Sequence, residues 1–580
     1  MVSPPRQLSV SKWILDEPDP ARIDELIASL GLPVPMARAL VNRGMEEPEA
    51  ARAFLEPSLG RLHDPLLMRD MDRAVSRTME AMDKGESICI HGDYDADGMT
   101  SSALLASFFE QAAYPVRTFL PDRIEDGYGL NPNRLRSLVS EGVNLFITVD
   151  CGVRAVEEAE LLRSLGADLV VLDHHTPGDE LPVAAAVVDP HRYDCEFPFK
   201  DLAAVGIAFY FVGALRRALS NAGRLDREAL DVRRLLDLVA VGTITDAVPL
   251  RGDNRVLVSA GLQRLTAKPR LGLSALKAVA SIGSRPVTPG VVAFQLGPRL
   301  NAVGRLGNPG VGLDLLLARD QEEASRYADE LDRENQARRD VEADVVAQAF
   351  RRVDEAGGPA HKAVVVAGDG WHLGVVGIVA SKLVERYQRP AVVISMGPDE
   401  SRGSCRSVKG FDIGAALAKL SHLLIRSGGH PMAAGLSVAS DRIDEFTEAF
   451  SDLADNEIGD EDLLPALHID ATLSFGDLDV ALVNRLAQLQ PHGIGNPEPL
   501  YAAFGVTVVE TRRVGREKQH LQASFEQDGV TLPAIWWNGG TVEGLDPGTQ
   551  VDVAFNGMLD NRNGRPRLKV RHLRLASAES

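Results

Sequence analysis

From Met71 onward the sequence switches repeatedly between two hydrophobic periods. Short apolar runs ("SICIH", "VRTFLP", "NLFITV", "DLVVL", "AAAVVDP") are separated by amphipathic stretches ("MDRAVSRTMEAMDKG", "MTSSALLASFFEQA", "NPNRLRSLVSEG", "VEEAELLRSLG"). Runs without polar alternation read as strands buried on both faces, and helices between successive strands make βαβ units, so the pattern predicts a parallel sheet covered on both sides. In such an open sheet the carboxyl ends of the strands share one crevice, where ligands bind. Asp93, Asp95 and Asp97 follow "SICIH", Asp150 directly follows "NLFITV", Asp173, His174 and His175 directly follow "DLVVL", and Asp246 follows "LDLVAVGTIT". All four segments are therefore expected at strand ends, converging in space although they run from residue 93 to residue 246.

Several carboxylates cannot share a dry crevice and stay ionised without compensation. A divalent cation compensates them. Oxygen-rich ligation with one or two imidazoles suits Mn²⁺ or Mg²⁺ better than zinc. With so many ligands the economical expectation is two ions about 3.5–4 Å apart, which would orient a phosphate, activate the nucleophile and ease departure of the leaving oxygen. Two plainer readings compete. D-x-D-x-D-G also opens a calcium loop, but twelfth from Asp93, where such a loop carries Glu, stands Leu104. A single Asp at a strand end also serves as a helix N-cap. Four segments in matching positions, one of them D-H-H, favour the metal.

The remaining chain divides by composition. At 580 residues it exceeds one hydrophobic core, and two to four domains are expected. Residues 1–55 form a small helical lead-in and 56–318 the parallel-sheet domain; 319–357, rich in i,i+4 opposite charges, is a solvated connector helix. A second, smaller α/β domain covers 358–455, and 456–580, after an acidic linker, is β-rich and suggests a small barrel. Cys89, Cys151, Cys195 and Cys405 are scattered, with no C-x-x-C pair, which fits a reducing, cytoplasmic setting and argues against a disulfide frame or zinc knuckle. Neither a signal peptide nor a run near the ~18 apolar residues of a membrane span is evident. The net charge of −20 argues against a polyanionic partner. "TRRVGREKQH" and "NRNGRPRLKVRHLR" are nonetheless locally basic.

The strings "HGDYDADGMTSS", "PDRIEDGYGL", "ITVDCG", "LDHH", "VGTITDAVPL", "GPRLNAVGRL", "GWHLGVVGIVASKL", "GSCRSVKGFDIGAAL", "SGGHPMAAGL" and "LQPHGIGNPEPLYAAFGV" occur in this order. Through them the chain resembles the DHH phosphoesterase superfamily and, within it, the RecJ family of single-strand-specific 5′→3′ exonucleases. The resemblance implies a DHH domain and a DHHA1 domain joined by a long helix, then an OB-fold barrel. It implies that His91, Asp95, Asp97, Asp150, His174 and Asp246 hold two Mn²⁺ or Mg²⁺ ions, with Asp150 bridging. Asp173 would orient its neighbours and His175 would touch the scissile phosphate or leaving group. Asp93 is a supporting acid, with direct ligation left open.

For DNA, the resemblance implies phosphate contacts from Arg123, Asn301, Arg305, Ser404, Arg406 and the backbone of Gly428, Gly429 and His430. Arginine suits such contacts because its fork matches phosphate oxygens, although a lone Arg is more often a surface ion pair. The barrel would hold a single strand by a basic groove (Arg512, Arg513, Arg516, Lys518, Arg565, Arg567, Lys569) and a tryptophan platform. Trp536 and Trp537 point to opposite faces if both lie on a strand, so one stacks and the other is core; Trp536 is taken as the platform. The implied activity is exonucleolytic release of 5′-mononucleotides from single-stranded DNA in recombination and repair. A monomer working with single-strand binding protein and a RecQ-type helicase, away from membranes, is implied too. The alternatives are a superfamily enzyme acting on short oligonucleotides, cyclic dinucleotides or pyrophosphate, and a non-catalytic replication scaffold.

Overall fold

The computed structural model describes residues 12–576, apart from 124, 125, 128 and 226–229. The first residues of the lead-in, part of "PDRIEDGYGL" and the last residues of the chain lie outside the described residues. The described chain opens with β1 (Lys12–Leu15), which pairs in parallel with a strand near the other end, Ala466–Ile469. The lead-in, read as helical, thus contributes a strand as well as its helices Pro20–Leu30, Val34–Val41 and Pro48–Leu55. The chain forms two units, Glu49–Gln336 with Leu489–Glu498, and Met1–Pro48 with Ala337–Gln488 and Pro499–Ser580.

The first unit holds β2 (Ser87–His91), β3 (Val116–Phe119), β4 (Val143–Val149), β5 (Asp168–Leu172) and β6 (Ala186–Val188). All pairings are parallel, in the order β3-β2-β4-β5-β6. The wholly apolar runs are explained by burial on both sides. Ile88, Ile90, Leu145, Ile147, Val170 and Leu172 enter one core, while Cys89, Phe146, Val171 and Val187 enter another, the period-2 division of a pleated strand. The strand order reverses between β2 and β4, and such a switch point opens a crevice at the carboxyl edge. The register aligns His91 with Thr148, Val149 with Leu172, and Leu172 with Val188. The residues that follow β2, β4 and β5 therefore leave the sheet at one level.

"LDLVAVGTIT" departs from expectation. It is a helix, Leu236–Thr245, not a strand. Nearly every residue in it is buried, so no amphipathic period marks it as helical.

In the second unit lie β7 (Val364–Asp369), β8 (Ala391–Met396), β9 (Glu400–Arg406), β10 (Arg426–His430) and β11 (Ala433–Ala439), in the order β10-β11-β9-β8-β7. Only β7–β8 is parallel. β10 forms one edge and is exposed along its whole length. The C-terminal region contains β12 (Ala466–Ile469), β13 (Ala471–Thr472), β14 (Tyr501–Val514), β15 (His520–Gln527), β16 (Val530–Trp536), β17 (Gln550–Leu559) and β18 (Pro566–Leu575). The ladder β14-β15-β16-β18-β17 closes through β14–β17 pairing into a barrel, which removes the open edges of the sheet.

The charged stretch after residue 319 is one helix, Gln321–Glu355. It is not simply solvated. Ala324, Ala328 and Leu331 join the core of the first unit, and Val345, Ala349 and Val353 join a core of the second. Among the described residues no helix is long and apolar enough to cross a membrane, and all four cysteines are free and buried.

Candidate metal centre

The loop after β2 turns straight into helix Ala96–Gln111, and its acids begin as caps. Asp95 is the N-cap, its Oδ1 accepting from the amides of Asp97 (2.9 Å) and Gly98 (3.1 Å). Asp97 reaches the N-terminus of helix Ala204–Asn221, where Oδ2 and Oδ1 accept from the amides of Ala204 (2.7 Å) and Val205 (3.0 Å). The capping reading of these aspartates is therefore correct as far as it goes, since helix N-termini favour carboxylates. Each oxygen keeps lone pairs for a further partner.

β4 and β5 deliver the next residues. Asp150 continues the ladder, its amide donating to the Leu172 carbonyl, but takes φ = +64°, a conformation few non-glycine residues adopt. Asp173 is fully engaged: Oδ1 accepts from the amides of His174 (2.8 Å) and His175 (3.2 Å) and lies 2.8 Å from His175 Nδ1, while Oδ2 accepts from Val153 N. Burial alone would raise its pKa; the His175 contact and the amides overcome that and hold it at about 2. His175 in turn is raised: desolvation lowers it, but the hydrogen bond to Asp173 and the charges of Asp173, Asp93 and Asp97 together prevail.

Asp246 arrives by a different route, as the C-cap of helix Leu236–Thr245. That helix approaches closely because of Gly242, where a Cβ would lie 2.8 Å from Asp97 Oδ1. His174 Nε2 then sits 3.2 Å from Asp150 Oδ1 and 3.7 Å from Asp246 Oδ2. Three sets of potential ligand atoms gather within 4.8 Å: Asp150 with His174 and His175, Asp97 with His174 and Asp246, and Asp93 with Asp95 and Asp150. Asp150 and His174 are each shared by two sets.

Asp93, whose direct ligation the sequence left open, and His175, expected to touch the scissile phosphate or leaving group, both stand among the gathered atoms. His91 belongs to none of the three sets. It is fully buried beside Phe119, its Nδ1 3.9 Å from Cys151 Sγ.

Charge and burial conflict here. Desolvation first, then neighbouring carboxylates, push Asp93 up to about 8, Asp97 to about 7 and Asp246 to about 9, and raise Asp150 well above its ordinary range. Burial lowers His91 and His174 to about 4, so both imidazoles are neutral and can ligate. Buried His91 Nε2, Asp93 Oδ1 and Asp246 Oδ2 have no hydrogen-bond partner. Unsatisfied acceptors, neutral imidazoles and crowded carboxyls fit a hard divalent cation.

Around this centre, Asn301 Oδ1 accepts from Ala96 N (2.8 Å), so Asn301 anchors the acidic loop. Arg123 is exposed and lies over the Tyr94 ring, 5.4 Å from its centroid. Burial pushes Tyr94 up to about 12 although the charges of Arg123 and Arg305 both pull it down, which places the two cations beside the acidic loop. Sequence reasoning missed His191, whose ring bonds the backbone of His174 and pairs with Asp189. Its neighbours in "VVDPHRY" gave no signal.

In the second unit the register across β9-β11-β10 aligns Ser404 with Gly435 and Gly428, and Arg406 with Ala433 and His430. The predicted phosphate residues there form two adjacent cross-strand rows, with Gly429 between them. Arg406 donates to Ser404 Oγ (3.2 Å) and the Cys405 carbonyl (2.8 Å), and burial lowers its pKa. On the barrel, Arg512, Arg513, Arg516, Lys518 and Arg565 are exposed, Lys569 is half-buried, and Arg567 pairs with Asp560 at 3.4 Å. The tryptophans are assigned the opposite way from expectation. Trp536, 6% exposed, is core, packed against Gly539; Trp537, 54% exposed, carries the open ring, edge-on to His520 at 4.7 Å. Trp536 ends β16 with its side chain on the inner face, so it cannot stack on a base.

Residues 87–243 match the DHH family N-terminal domain, 360–456 the DHHA1 domain and 469–572 the RecJ OB domain. The single-stranded-DNA-specific exonuclease RecJ of Bacillus subtilis (strain 168) is 35% identical over 97% of this chain and 71% of its own length. The chain belongs to the RecJ family. The RecJ of Escherichia coli (strain K12) is 34% identical over 93% of the chain and 95% of its own. The crystal structure of RecJ from Thermus thermophilus in complex with Mn²⁺ superposes with a TM-score of 0.83 at 32% identity, covering 98% of this chain and 80% of that one; its Mg²⁺ complex gives 0.77. RecJ membership accounts for the order parallel-sheet domain, long helix, mixed sheet and closed barrel.

Proposed function

We propose that this chain is a metal-dependent exonuclease that degrades single-stranded DNA from the 5′ end and releases 5′-mononucleotides, in recombination and repair. The observation that carries the reading is the gathering of three ligand sets around shared Asp150 and His174 at the switch point of the parallel sheet. The family supports it: relatives bear the name single-stranded-DNA-specific exonuclease, and a RecJ structure holds Mn²⁺ or Mg²⁺.

In the proposed centre Asp97, His174 and Asp246 would hold one Mn²⁺ or Mg²⁺ ion and Asp93, Asp95 and Asp150 the other, with the unpartnered Nε2 of His91 a further donor. Bound there, such a pair lowers the pKa of water and neutralises phosphate charge. The protein's own contributions are positional and acid–base. Asp173 orients His175 by accepting from Nδ1 and favours its charged imidazolium form, from which Nε2–H would donate a proton to the phosphate or the leaving 3′ oxygen. Asn301 keeps the acidic loop in register, and Arg123 and Arg305 supply positive charge for the adjacent phosphates.

Within the same proposal, Ser404, Arg406 and the Gly428–His430 backbone bind a phosphate, and the barrel's basic face with Trp537 holds the trailing strand. A cytoplasmic monomer working with single-strand binding protein and a RecQ-type helicase completes the family-based reading. The test is digestion of 5′- and 3′-labelled single and double strands with Mn²⁺ and with EDTA, with product sizing. Mononucleotides from the 5′ end of single strands only, lost in EDTA, are expected; cleavage restricted to dinucleotides, or none with Mn²⁺, would refute the proposal.

A further inference from the structure

The stretch "LQPHGIGNPEPL" contributes no residue to the proposed centre, yet its placement is unusual. Leu489–Glu498 groups with the parallel-sheet unit, whereas the chain on both sides of it groups with the other unit. One buried arginine holds it. Arg255, 2% exposed in helix Gly252–Ala267, donates to the carbonyls of Leu489 (3.1 Å) and Gln490 (2.7 Å), and through Nε to Phe54 (2.7 Å). Within the loop, fully buried Asn496 donates Nδ2 to the carbonyls of Leu489 (2.7 Å) and Pro491 (2.8 Å), and the backbones of Gly493 and Asn496 exchange hydrogen bonds. Burying a guanidinium is costly, so the loop it secures is held deliberately rather than draped.

The loop's tip rests on the residues that follow Asp246. The Ile494 carbonyl accepts from Leu250 N at 2.7 Å. A Cβ on Gly493 would lie 2.6 Å from Leu250 Cδ1, and one on Gly495 (φ +71°) 3.0 Å from Pro249 Cβ. From the other side Asn254 Nδ2 donates to the Pro249 carbonyl (3.0 Å). The turn from Ala247 (φ +64°) to Arg251 is thereby clamped on two sides. Asp246 stands at its start, on a helix C-terminus, which lacks the ladder that fixes Asp150 and Asp173 and tends to fray.

We infer that Leu489–Glu498 is a positioning clip for Asp246: by fixing the turn after the helix, it sets this carboxylate against Asp97 and His174. The inference rests on the reading of Asp246 as a cation ligand. Arg255, Gly493 and Asn496 touch no reacting atom and act through the turn.

The test is Mn²⁺ titration of the full chain, free Mn²⁺ being read by electron paramagnetic resonance, with amide exchange at Leu250 followed in metal-free protein. Gly493→Ala should weaken one Mn²⁺ equivalent by about tenfold, the scale of lost outer support at metal sites, leave the other unchanged and speed exchange at Leu250. Adding Leu250→Val, which removes the clashing methyl, should restore affinity. Gly495→Ala, a milder contact, is read in the same way and stands in should Gly493→Ala fail to fold. Asp246→Asn separates the two levels. If it loses one equivalent while the folded glycine variants bind both ions as tightly as the parent, or weaken both alike, the clip is wrong and the metal reading stands. If Asp246→Asn keeps both equivalents, the metal reading itself fails.

Discussion

The sheet β2–β6 and the sheet β7–β11 treat polar residues in opposite ways. At the carboxyl edge of the first, acids are buried: Asp93, Asp97, Asp150 and Asp173 are exposed by 4%, 1%, 2% and 1%. At the edge of the second, β10 is exposed throughout and presents glycine backbone and His430, in register through Ala433 with Arg406 two strands in. Both sheets grow from similar alternations of apolar run and helix. The all-parallel sheet hides both faces and its carboxyl edge, so charges there need a counter-charge from outside. The mixed sheet ends in an antiparallel hairpin open to solvent, where an anion can be met without prior desolvation. Buried acids point to cations, and an open glycine edge backed by an inner-strand arginine points to phosphate.

That contrast breaks most visibly at Asp150. Asp150→Ala should lower cleavage by about 10³-fold or more, the scale on which single groups that stabilise transition-state charge are felt, while single-strand affinity measured by fluorescence anisotropy stays close to the parent's. Full activity would remove Asp150 from the centre.

The adjacent tryptophans sharpen the distinction between buried and open groups. Trp536→Ala should cost about 3–5 kcal/mol of barrel stability, as for large-to-small core changes. Trp537→Ala should leave the melting curve unchanged and weaken strand binding by about 1–3 kcal/mol, the value of one stacked base. Reversed effects would overturn their assignment.

Asp173→Asn should cut the rate by about 10–100-fold. Because Asp173 raises His175, the limb of the pH–rate profile that reports His175 should move to lower pH. An unchanged profile would deny the Asp173–His175 coupling a part in the reaction.

The acids also predict how metal-free stability depends on pH. Asp93, Asp97 and Asp246 are raised from an ordinary 3.8 to about 8, 7 and 9. The folded chain therefore binds more protons than the unfolded chain above the ordinary value, and stability declines as pH rises through about 7 to 9. Asp173, lowered to about 2, works the other way and loses its contribution only as pH falls toward that value. Melting temperatures taken across this range should fall with pH in EDTA and stay level in Mn²⁺; parallel curves would contradict the conflict of charge and burial.

The smallest effect belongs to the mixed sheet. Arg406→Ala should reduce the slope of log affinity against log salt by about one, without changing Mn²⁺ binding.

Much of this was legible because the signals are local. Strand ends β2, β4 and β5 follow from apolar runs, and the acids beside them needed only the rule that such ends share a crevice. Asp246 was found, but its helix was not: "LDLVAVGTIT" is apolar on every side, so no period separates a buried helix from a buried strand. Period two placed Trp536 and Trp537 on opposite faces without saying which face was core. The charged helix Gln321–Glu355 hides Ala324, Leu331, Val345 and Ala349 among its ion pairs. The loop Leu489–Glu498 stood out as a family string, but its role was silent because its anchor, Arg255, lies 235 residues from Gln490.

The central claim is that dispersed acids meet in order to hold two cations. Anomalous scattering from a crystal grown with Mn²⁺ tests it directly. Two peaks are expected, one against Asp97, His174 and Asp246, the other against Asp93 and Asp95, with Asp150 between them. A map with no peak among these residues, or with manganese only elsewhere on the chain, would contradict it.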